Sequence, residues 1–147
     1  MADVHLGRTA KYLRLLGFDT LYFKHIEDND IIDIALRENR TVLTKDRELC
    51  KRLENRCFYV NSKFPEDQVK EIVKHFDLKS KAKPFTRCME DNALLERVDK
   101  SDIEEQLPEK VRGFYEDFKI CPVCKKIYWL GSHYERMKKF IDSLLGV

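Results

Sequence analysis

The sequence lacks the features that mark a secreted or membrane-bound protein. No apolar run approaches the roughly 18 to 20 residues that a membrane-spanning helix requires. The first residues do not show the charged, apolar and small-residue segments of a signal peptide. Internal repeats and low-complexity tracts are lacking as well. We therefore expect a cytoplasmic, globular protein with no membrane association.

A dominant charge is also lacking. The 147 residues carry a formal net charge of only +2, and basic and acidic residues number 15 and 14 up to Ser80 and 13 and 12 beyond it. A tight nonspecific binder of nucleic acid usually has a clearly basic face, whereas a near-neutral enzyme handles a polyanion when metal ions offset its carboxylates. Without a secretion signal, the five cysteines are expected to be thiols or metal ligands, with Cys50 and Cys57 packing as small apolar groups.

Up to about Leu78, short apolar runs alternate with amphipathic stretches. Helical periodicity occurs in "LGRTAKYLRLLGF", "DNDIIDIALREN", "DRELCKRLEN" and "PEDQVKEIVKHFDL". Strands are predicted near residues 1–4, 20–23, 41–44 and 57–60. Strands and helices that alternate at this interval are typical of crossover units on a parallel sheet. The sequence therefore predicts an α/β fold.

The sequence changes character at the basic, proline-containing link "KSKAKPFTR". Beyond it lie three of the five cysteines, the only tryptophan and the closing amphipathic stretch "SHYERMKKFIDSLL". We expect that stretch to form a helix that packs against the rest. The predicted division is a sheet domain, residues 1–80, followed by a C-terminal subdomain, residues 81–147.

Three aspartates follow predicted strands. Asp3 precedes the first helix, Asp30 lies at the start of the helix after the second strand, and Asp46 ends "VLTKD" after the third. Because the carboxyl ends of parallel strands share one edge of a sheet, the three carboxylates are expected to converge there. Such a group suits magnesium or manganese, which activate water and offset the charge developing on a phosphodiester. The alternative is that each aspartate only caps a helix. Thr44 is expected to order a neighbouring carboxylate or a metal-bound water through its hydroxyl.

Basic side chains in two places are candidates for contacts with the backbone of a nucleic acid. Arg8, Lys11 and Arg14, three residues apart, are predicted to form a stripe on the first helix beside Asp3. A stripe of this kind suits backbone phosphates, and a merely solvated helix face is an equal alternative. His133, with Arg136 close in sequence, is a second candidate for a nucleic-acid face.

The segment "CPVCKK" has the spacing of a zinc knuckle. An earlier Cys-x-x-Asp, formed by Cys88 and Asp91, is an imperfect partner for Cys121 and Cys124. Zinc accepts carboxylate oxygen as well as thiolate, so these four side chains can close a tetrahedral site that binds less tightly than four cysteines. His133 is an alternative fourth ligand, and a redox pair or an empty ribbon is the competing interpretation.

Four segments carry a resemblance to a known family: "DVHLGRTAKYLRLLGFDTLY", "NDIIDIA", "RTVLTKD" and "CPVCKKIYWLGSHYERM". Over nearly its whole length the chain resembles the Mut-seven C-terminal RNase domain family, a branch of the PIN-like nucleases. The resemblance implies a PIN-like parallel sheet flanked by helices, with a C-terminal zinc-ribbon-like subdomain. It also implies metal-dependent hydrolysis of RNA through acidic residues that match Asp3, Asp30 and Asp46. A noncatalytic module that keeps this fold and binds RNA or protein is the alternative.

The chain departs from the family pattern at two places. Family members open with an apolar strand of several residues before the first aspartate, whereas this chain offers only Met1 and Ala2, which indicates a shortened N terminus or a misassigned start. The family pattern also resembles Cys-x-x-Cys-Asn in the first knuckle, where this chain has Asp91 before Asn92. We therefore expect a weakened zinc site.

Overall fold

Two small sheets, one parallel and one antiparallel, organise the chain. The structure is a computed structural model and describes residues 1–113, 115–129, 131 and 134–147. Its elements are α1 Gly7–Leu15, α2 Asp28–Arg37, β1 Val42–Thr44, α3 Arg47–Leu53, β2 Cys57–Tyr59, α4 Pro65–Phe76, β3 Glu96–Val98, α5 Lys100–Ile103, α6 Glu109–Arg112, β4 Phe118–Ile120, β5 Ile127–Trp129 and α7 Tyr134–Leu145, with short 3₁₀ turns at Glu54–Arg56, Lys79–Lys81 and Glu104–Gln106. The predicted α/β class is confirmed.

The parallel sheet is smaller than predicted. Strands β1 and β2 pair with Leu43 opposite Phe58. Residues 1–4 add only a parallel bridge between Ala2 and Leu43. Residues 20–23 meet this edge where Leu21 accepts a hydrogen bond of 2.9 Å from the Ala2 amide. Because an isolated bridge and one further hydrogen bond do not make a ladder, two of the four predicted strands are present as strands in the described part of the chain.

Helix α1 ends at Leu15, two residues before a glycine. Gly17 has a φ of +96°, in the left-handed region, and a Cβ at this position would lie 2.2 Å from the backbone oxygen of Lys83. Its amide donates to the Arg14 carbonyl at 2.9 Å, and the Phe18 amide donates to the Leu13 carbonyl at 3.0 Å. Only glycine fits this close approach, which brings the link after α4 against the end of α1.

The main hydrophobic core joins α1, α4 and α7. Leu13 of α1 and Ile72 of α4 pack in one cluster with Ile141 and Leu144 of α7. The prediction that the last helix packs against the rest is thus confirmed, while the division near residue 80 stays a prediction. Within the described ranges, no helix combines the length and the apolar character needed to cross a bilayer.

Two smaller clusters complete the interior. One lies where α2 and α3 cover β1 and contains Ile31, Val42 and Leu49. The other lies under the antiparallel sheet, whose strand order is β3-β4-β5, and contains Ile103 and Phe118. The antiparallel sheet therefore has its own small core.

The expectation that Cys50 and Cys57 pack as free thiols is wrong. They form a disulfide that connects α3 to β2, with their Cα atoms 5.3 Å apart. The 3₁₀ turn Glu54–Arg56 lies between them, and Glu54 has a positive φ of 54°. This turn reverses the chain and brings the two Cα atoms within the 4.4 to 6.8 Å range that a disulfide needs, about 5.5 Å being usual.

Candidate functional site

Four side chains near the antiparallel sheet form a candidate metal centre. The ligand atoms of Cys88, Asp91, Cys121 and Cys124 all lie within 4.8 Å of one another. In the described part of the chain this is the one group of three or more histidine, cysteine or acidic residues that meets this distance. The four residues are those that the sequence predicts as zinc ligands.

The two pairs of ligands lie on turns with the same backbone geometry. The Asn92 amide donates to the Cys88 carbonyl at 2.9 Å, and the Lys125 amide donates to the Cys121 carbonyl at 2.9 Å. Asn92 and Lys125 both adopt a left-handed conformation, with φ values of 72° and 66°. In both turns, therefore, an amide donates to the carbonyl of the residue four positions earlier.

A second hydrogen bond extends this equivalence. The amide of the first cysteine in each turn donates five residues ahead, to Ala93 O at 2.9 Å and to Lys126 O at 3.0 Å. Asp91 consequently holds in the first turn the position that Cys124 holds in the second. Its carboxylate stands in a ligand position and is not a surface residue that lies near the cysteines by coincidence.

The side chains of the centre already contact one another. Both Asp91 oxygens accept from the Cys121 thiol, at 3.2 and 3.1 Å. The Cys88 sulfur lies 3.7 Å from the Cys124 sulfur and 3.1 Å from the Tyr128 hydroxyl. Three sulfurs and one carboxylate oxygen at these separations are a donor set that zinc accepts.

The pKa values in the centre show crowding of groups that can become negative. Burial raises the pKa of Asp91, but hydrogen bonds, above all from the Cys121 thiol, outweigh it and leave the pKa below its usual range. A hydrogen bond with the Lys126 amide lowers the pKa of Cys124, yet burial and the neighbouring Asp91, Cys121 and Cys88 groups raise it to about 12. A bound cation would reverse the raised pKa of Cys124, because a metal binds the deprotonated ligand.

Arg14 fixes the first turn to helix α1. Its guanidinium donates to the carbonyls of Met89 and Glu90 at 2.9 and 3.1 Å, and to the Thr20 carbonyl at 2.8 Å. The side chain is 4 % exposed. Burial lowers its pKa, and the nearby Asp91 among other acidic groups opposes this shift. The predicted surface stripe is therefore wrong at Arg14, which binds the metal-centre turn from inside.

Asn92 forms a second attachment, which the sequence analysis did not identify. Its side-chain amide donates to Asp19 at 2.6 Å and its carbonyl oxygen accepts from the Thr20 amide at 2.9 Å. Arg40 donates to both Asp19 oxygens at 3.1 Å. Burial raises the pKa of Asp19, but the hydrogen bonds from Arg40 and Asn92 outweigh it and lower the pKa. The asparagine that follows the turn was the available signal, since it suits a left-handed position.

At the parallel sheet, a chain of hydrogen bonds connects two of the three predicted aspartates. The Thr44 hydroxyl donates to Asp3 Oδ2 and accepts from the Asp46 amide at 2.9 Å. The other Asp3 oxygen accepts from the His5 amide at 2.9 Å, and the Asp3 side chain is buried. Thr44 thus orders a carboxylate as expected.

Asp46 also has the capping role that the sequence analysis gave as the alternative. Its Oδ1 accepts from the amides of Glu48 and Leu49, at 2.9 and 3.1 Å, and so caps α3. A cap and a metal ligand are compatible, because capping uses one oxygen and leaves the other for a second partner.

Asp30 lies apart from this pair in its contacts. It is an exposed residue in the first turn of α2. Among the described residues, Asp3, Asp30 and Asp46 do not form a group whose oxygens lie within 4.8 Å of one another. The structure therefore joins Asp3 to Asp46 through Thr44, and the three-aspartate metal site stays a prediction.

Comparison with models of protein families gives a match over nearly the whole chain. The model of the Mut7-C RNAse domain matches residues 1–141. The chain belongs to the Mut7-C RNAse domain family. Comparisons with curated proteins and with solved structures gave no significant match. The metal-centre turns and the aspartates joined by Thr44 all lie within the matched residues.

The other predicted RNA contacts of this Mut7-C chain have different settings. Arg8 and Lys11 are exposed on α1, and Lys11 pairs with Glu90 at 3.4 Å. Arg136 is exposed on α7. His133 lies outside the described residues. Among the described residues of this set, no cation has a contact that identifies a phosphate site, so the role of the whole set stays a prediction.

Lys45, between Thr44 and Asp46, was missed by the sequence analysis. Its ammonium group donates to the carbonyls of Val60, Asn61 and Ser62, at 3.1, 3.3 and 2.9 Å. The signal was its position, since a lysine at the end of a predicted strand stands at the edge where the aspartates were expected. It holds the loop after β2 beside Asp46.

One cavity near the antiparallel sheet does not coincide with either group of acidic and sulfur ligands. It measures about 940 Å³ and lies along the antiparallel sheet, with Trp129 and Tyr128 in its wall. Its charged lining is mixed, with Arg97 and Lys126 opposed by Asp99 and Glu116 among others. The cavity has no dominant charge that would favour one class of ligand.

Proposed function

We propose that the chain is a metal-dependent ribonuclease that hydrolyses phosphodiester bonds of single-stranded RNA at the edge of the parallel sheet. Membership in an RNase domain family supports a nuclease function. The observation that carries the proposal is a chain of two hydrogen bonds at the ends of neighbouring chain segments. The Thr44 hydroxyl donates to the Asp3 carboxylate and accepts from the backbone amide of Asp46. A cytoplasmic setting, expected from the sequence, is part of the proposal.

The proposed cation at this edge is magnesium or manganese, held by Asp3, Asp46 and Asp30. The donor chemistry fits, because both ions prefer carboxylate oxygen. When bound, such an ion lowers the pKa of water and offsets charge on the phosphate. The Thr44 hydroxyl orients Asp3. The cap of α3 fixes Asp46 through its Oδ1, and Oδ2 of Asp46 accepts no hydrogen bond in the described part of the chain.

Basic groups of the chain are proposed to hold the RNA backbone. Arg8 follows Asp3 in the first turn of α1 and is exposed, so it can reach a phosphate near the aspartates. Lys11, Arg136 and His133 are proposed as further contacts. These groups would raise affinity without reading sequence, as backbone contacts do.

The second proposed metal is a structural zinc in the ribbon. Cys88, Asp91, Cys121 and Cys124 would fill all four positions of a tetrahedral ion, which is typical of structural sites and leaves no position for a substrate. The ion would tie the turn held by Arg14 to the hairpin of β4 and β5.

One observation favours a noncatalytic alternative. Asp3 is 3 % exposed, and both of its oxygens accept hydrogen bonds from the protein. A carboxylate in this state stabilises the fold without a metal. In this alternative the chain is a module that binds RNA or a protein partner and keeps the fold of the family.

The deciding experiment is manganese-dependent cleavage of single-stranded RNA by the wild type and by Asp46→Asn. Asparagine still accepts the two amide hydrogen bonds, so the cap of α3 is retained while the charge is lost. We expect a loss of about 100-fold or more in cleavage rate. Asp33→Asn on the exposed face of α2 is the matched control and should cleave like the wild type.

Equal inactivity of the wild type and Asp46→Asn, with RNA binding intact, would leave the noncatalytic module in place of the enzyme. Zinc is tested separately by metal content after loosely bound ions are removed. We expect about one zinc per wild-type chain and a clear loss in Cys121→Ser. A wild-type chain without zinc would contradict the proposed ribbon site.

A further inference from the structure

Two aromatic rings are exposed among the phenylalanines, tyrosines and tryptophan whose side chains the structure describes. Phe64 is 61 % exposed and Phe23 is 41 % exposed. Phe64 is held in an extended conformation, with φ of −102° and ψ of 146°, directly before Pro65 at the start of α4. A residue before proline has restricted backbone freedom. The Phe64 ring is therefore presented to solvent on a constrained backbone.

The segment that carries Phe64 is anchored beside the aspartates. Lys45 binds the carbonyls of residues 60–62, and the Gln68 side-chain amide donates to the Ser62 carbonyl at 3.1 Å. Gln68 in turn accepts from the Thr9 hydroxyl of α1 through a buried hydrogen bond. These bonds join the start of α4 both to the residue before Asp46 and to α1.

A cavity of about 390 Å³ lies between α1 and the start of α4. This volume is in the range of small-ligand sites. Its lining combines one cation, aromatic rings and two carboxylates, and consists of Arg8, Tyr12, Phe64, Pro65, Glu66 and Asp67. The ammonium group of Lys63 lies 5.8 Å from the centre of the Phe64 ring and adds positive charge there.

We propose that this cavity is a subsite for one unpaired nucleotide of the RNA, with selectivity for a base that carries an exocyclic amino group. The inference rests on the proposed function. The Phe64 ring offers a stacking face for a base, and Arg8 offers a guanidinium for the phosphate. Glu66 and Asp67 accept hydrogen bonds only, so they suit the amino groups of adenine, cytosine and guanine. Uracil has no amino group, and its one donor on that edge, N3–H, lies between two carbonyl oxygens, which these carboxylates repel.

The selectivity makes the subsite different from a general basic surface. A base held by stacking alone would be bound whatever its edge, because every base has a π face. The two carboxylates add a requirement for donors on that edge. Their negative charge also limits the attraction of the cavity for phosphate, so Arg8 contributes one local contact and not a broad electrostatic face.

Binding of labelled single-stranded octamers of adenine, cytosine or uracil nucleotides, measured by fluorescence anisotropy without added divalent cation, tests the subsite. Phe64→Ala should lose roughly 5- to 150-fold in affinity for the adenine octamer, the range for loss of one stacked base. Leu36→Ala on α2, whose side chain is 59 % exposed, is the matched control and should bind like the wild type.

Two further variants separate stacking from the other contacts. The double variant Glu66→Gln and Asp67→Asn should bind the uracil octamer more tightly and lose the preference for adenine, because its amides can donate to uracil. Glu109→Gln in the first turn of α6 is its control. Arg8→Ala should lower the slope of log affinity against log salt by about 0.7, the value for one phosphate contact on a single strand.

The outcomes distinguish this inference from the proposed function. If the wild type cleaves or binds RNA but Phe64→Ala matches it and the three octamers bind equally, the subsite is refuted and the ribonuclease proposal stands. If Phe64→Ala weakens binding of a base-free abasic strand as much as that of the adenine octamer, Phe64 does not stack on a base and the subsite is also refuted. If the wild type neither binds nor cleaves any strand, both proposals fail.

Discussion

Removing the guanidinium of Arg14 is the sharpest test of how the metal centre is held. Arg14→Met keeps the length and much of the apolar stem of the side chain but removes every donor. The three lost bonds run to the carbonyls of Thr20, Met89 and Glu90, at 2.8, 2.9 and 3.1 Å. Two of these carbonyls belong to residues inside the first metal-binding turn. We therefore expect effects on both stability and metal affinity.

The magnitude follows from the burial of the bonds. A buried group that loses its partner costs about 1 to 3 kcal/mol, and the side chain of Arg14 is 4 % exposed. Allowing for some access of water to the vacated carbonyls, we expect Arg14→Met to lower the free energy of unfolding by about 3 kcal/mol. For a chain of this size that corresponds to a fall in Tm of about 6 to 12 °C. Zinc affinity should fall about 10- to 100-fold, as it does when groups that orient metal ligands are removed.

Urea unfolding and competition with a chromophoric zinc chelator measure the two effects. Arg37→Met is the matched control, because Arg37 pairs with Asp33 at 3.3 Å with 65 % of its side chain exposed. It should change the free energy of unfolding by less than about 0.5 kcal/mol. An Arg14→Met protein with wild-type stability and wild-type zinc affinity would refute the role assigned to Arg14. A loss of stability with unchanged zinc affinity would refute the coupling to the metal-binding turn.

Three further predictions concern single positions. Asp91→Cys should raise zinc affinity at least about tenfold in the chelator assay, because a thiolate replaces a carboxylate at the turn position that corresponds to Cys124. Weaker zinc binding would contradict the equivalence of the two positions. Gly17→Ala should lower the free energy of unfolding in urea by about 2 kcal/mol or more, because the added Cβ would lie 2.2 Å from Lys83 O. Gly113→Ala is the control and should lower it far less, because a Cβ there meets nothing within 4 Å. Equal effects of the two substitutions would contradict the predicted clash. Asp19→Asn should be less stable than the wild type by less than about 1 kcal/mol at neutral pH, since Asp19 is partly exposed. Because the pKa of Asp19 is lowered in the folded state, the stability difference should be complete above the pKa of the unfolded chain, about 3.9, and should disappear as the pH falls through the lower pKa of the folded state. A stability difference that grows in acid would contradict this prediction.

Local sequence patterns predicted the features that depend on residues within one helix, one turn or one strand. The helices at Asp28–Arg37 and Pro65–Phe76 were predicted from their apolar period. The ligand set was predicted from the spacing of Cys88, Asp91 and the later cysteine pair, because such turns have a fixed local geometry. These features depend on a few neighbouring residues, which the sequence displays directly.

Features that depend on helix rotation were predicted less well. Arg8, Lys11 and Arg14 have equal spacing in the sequence, but residues six apart on an α-helix lie about 120° apart around its axis. Arg8 is consequently exposed while Arg14 points inward. The apolar residues of α1 did not show which face of the helix the metal-binding turn would cover.

Features that depend on distant contacts were not predictable from pattern. The disulfide of Cys50 requires the reversal at Glu54, a non-glycine residue with positive φ. A carboxylate beside Thr44 was expected, but its identity as Asp3 follows from the register of the bridge between Ala2 and Leu43. The contact between Cys50 and Cys57 has no local sequence signature.

The unequal support of the two metal-binding turns has a consequence for the order of folding. Arg14 and Asn92 attach the first turn to the end of α1 and the residues after it, while the second turn belongs to a hairpin with a small core of its own. Half of the ligand set should thus be assembled together with the main core, before the hairpin arrives. In refolding experiments the earlier phase should be independent of zinc concentration, and only the later phase should accelerate as zinc is added.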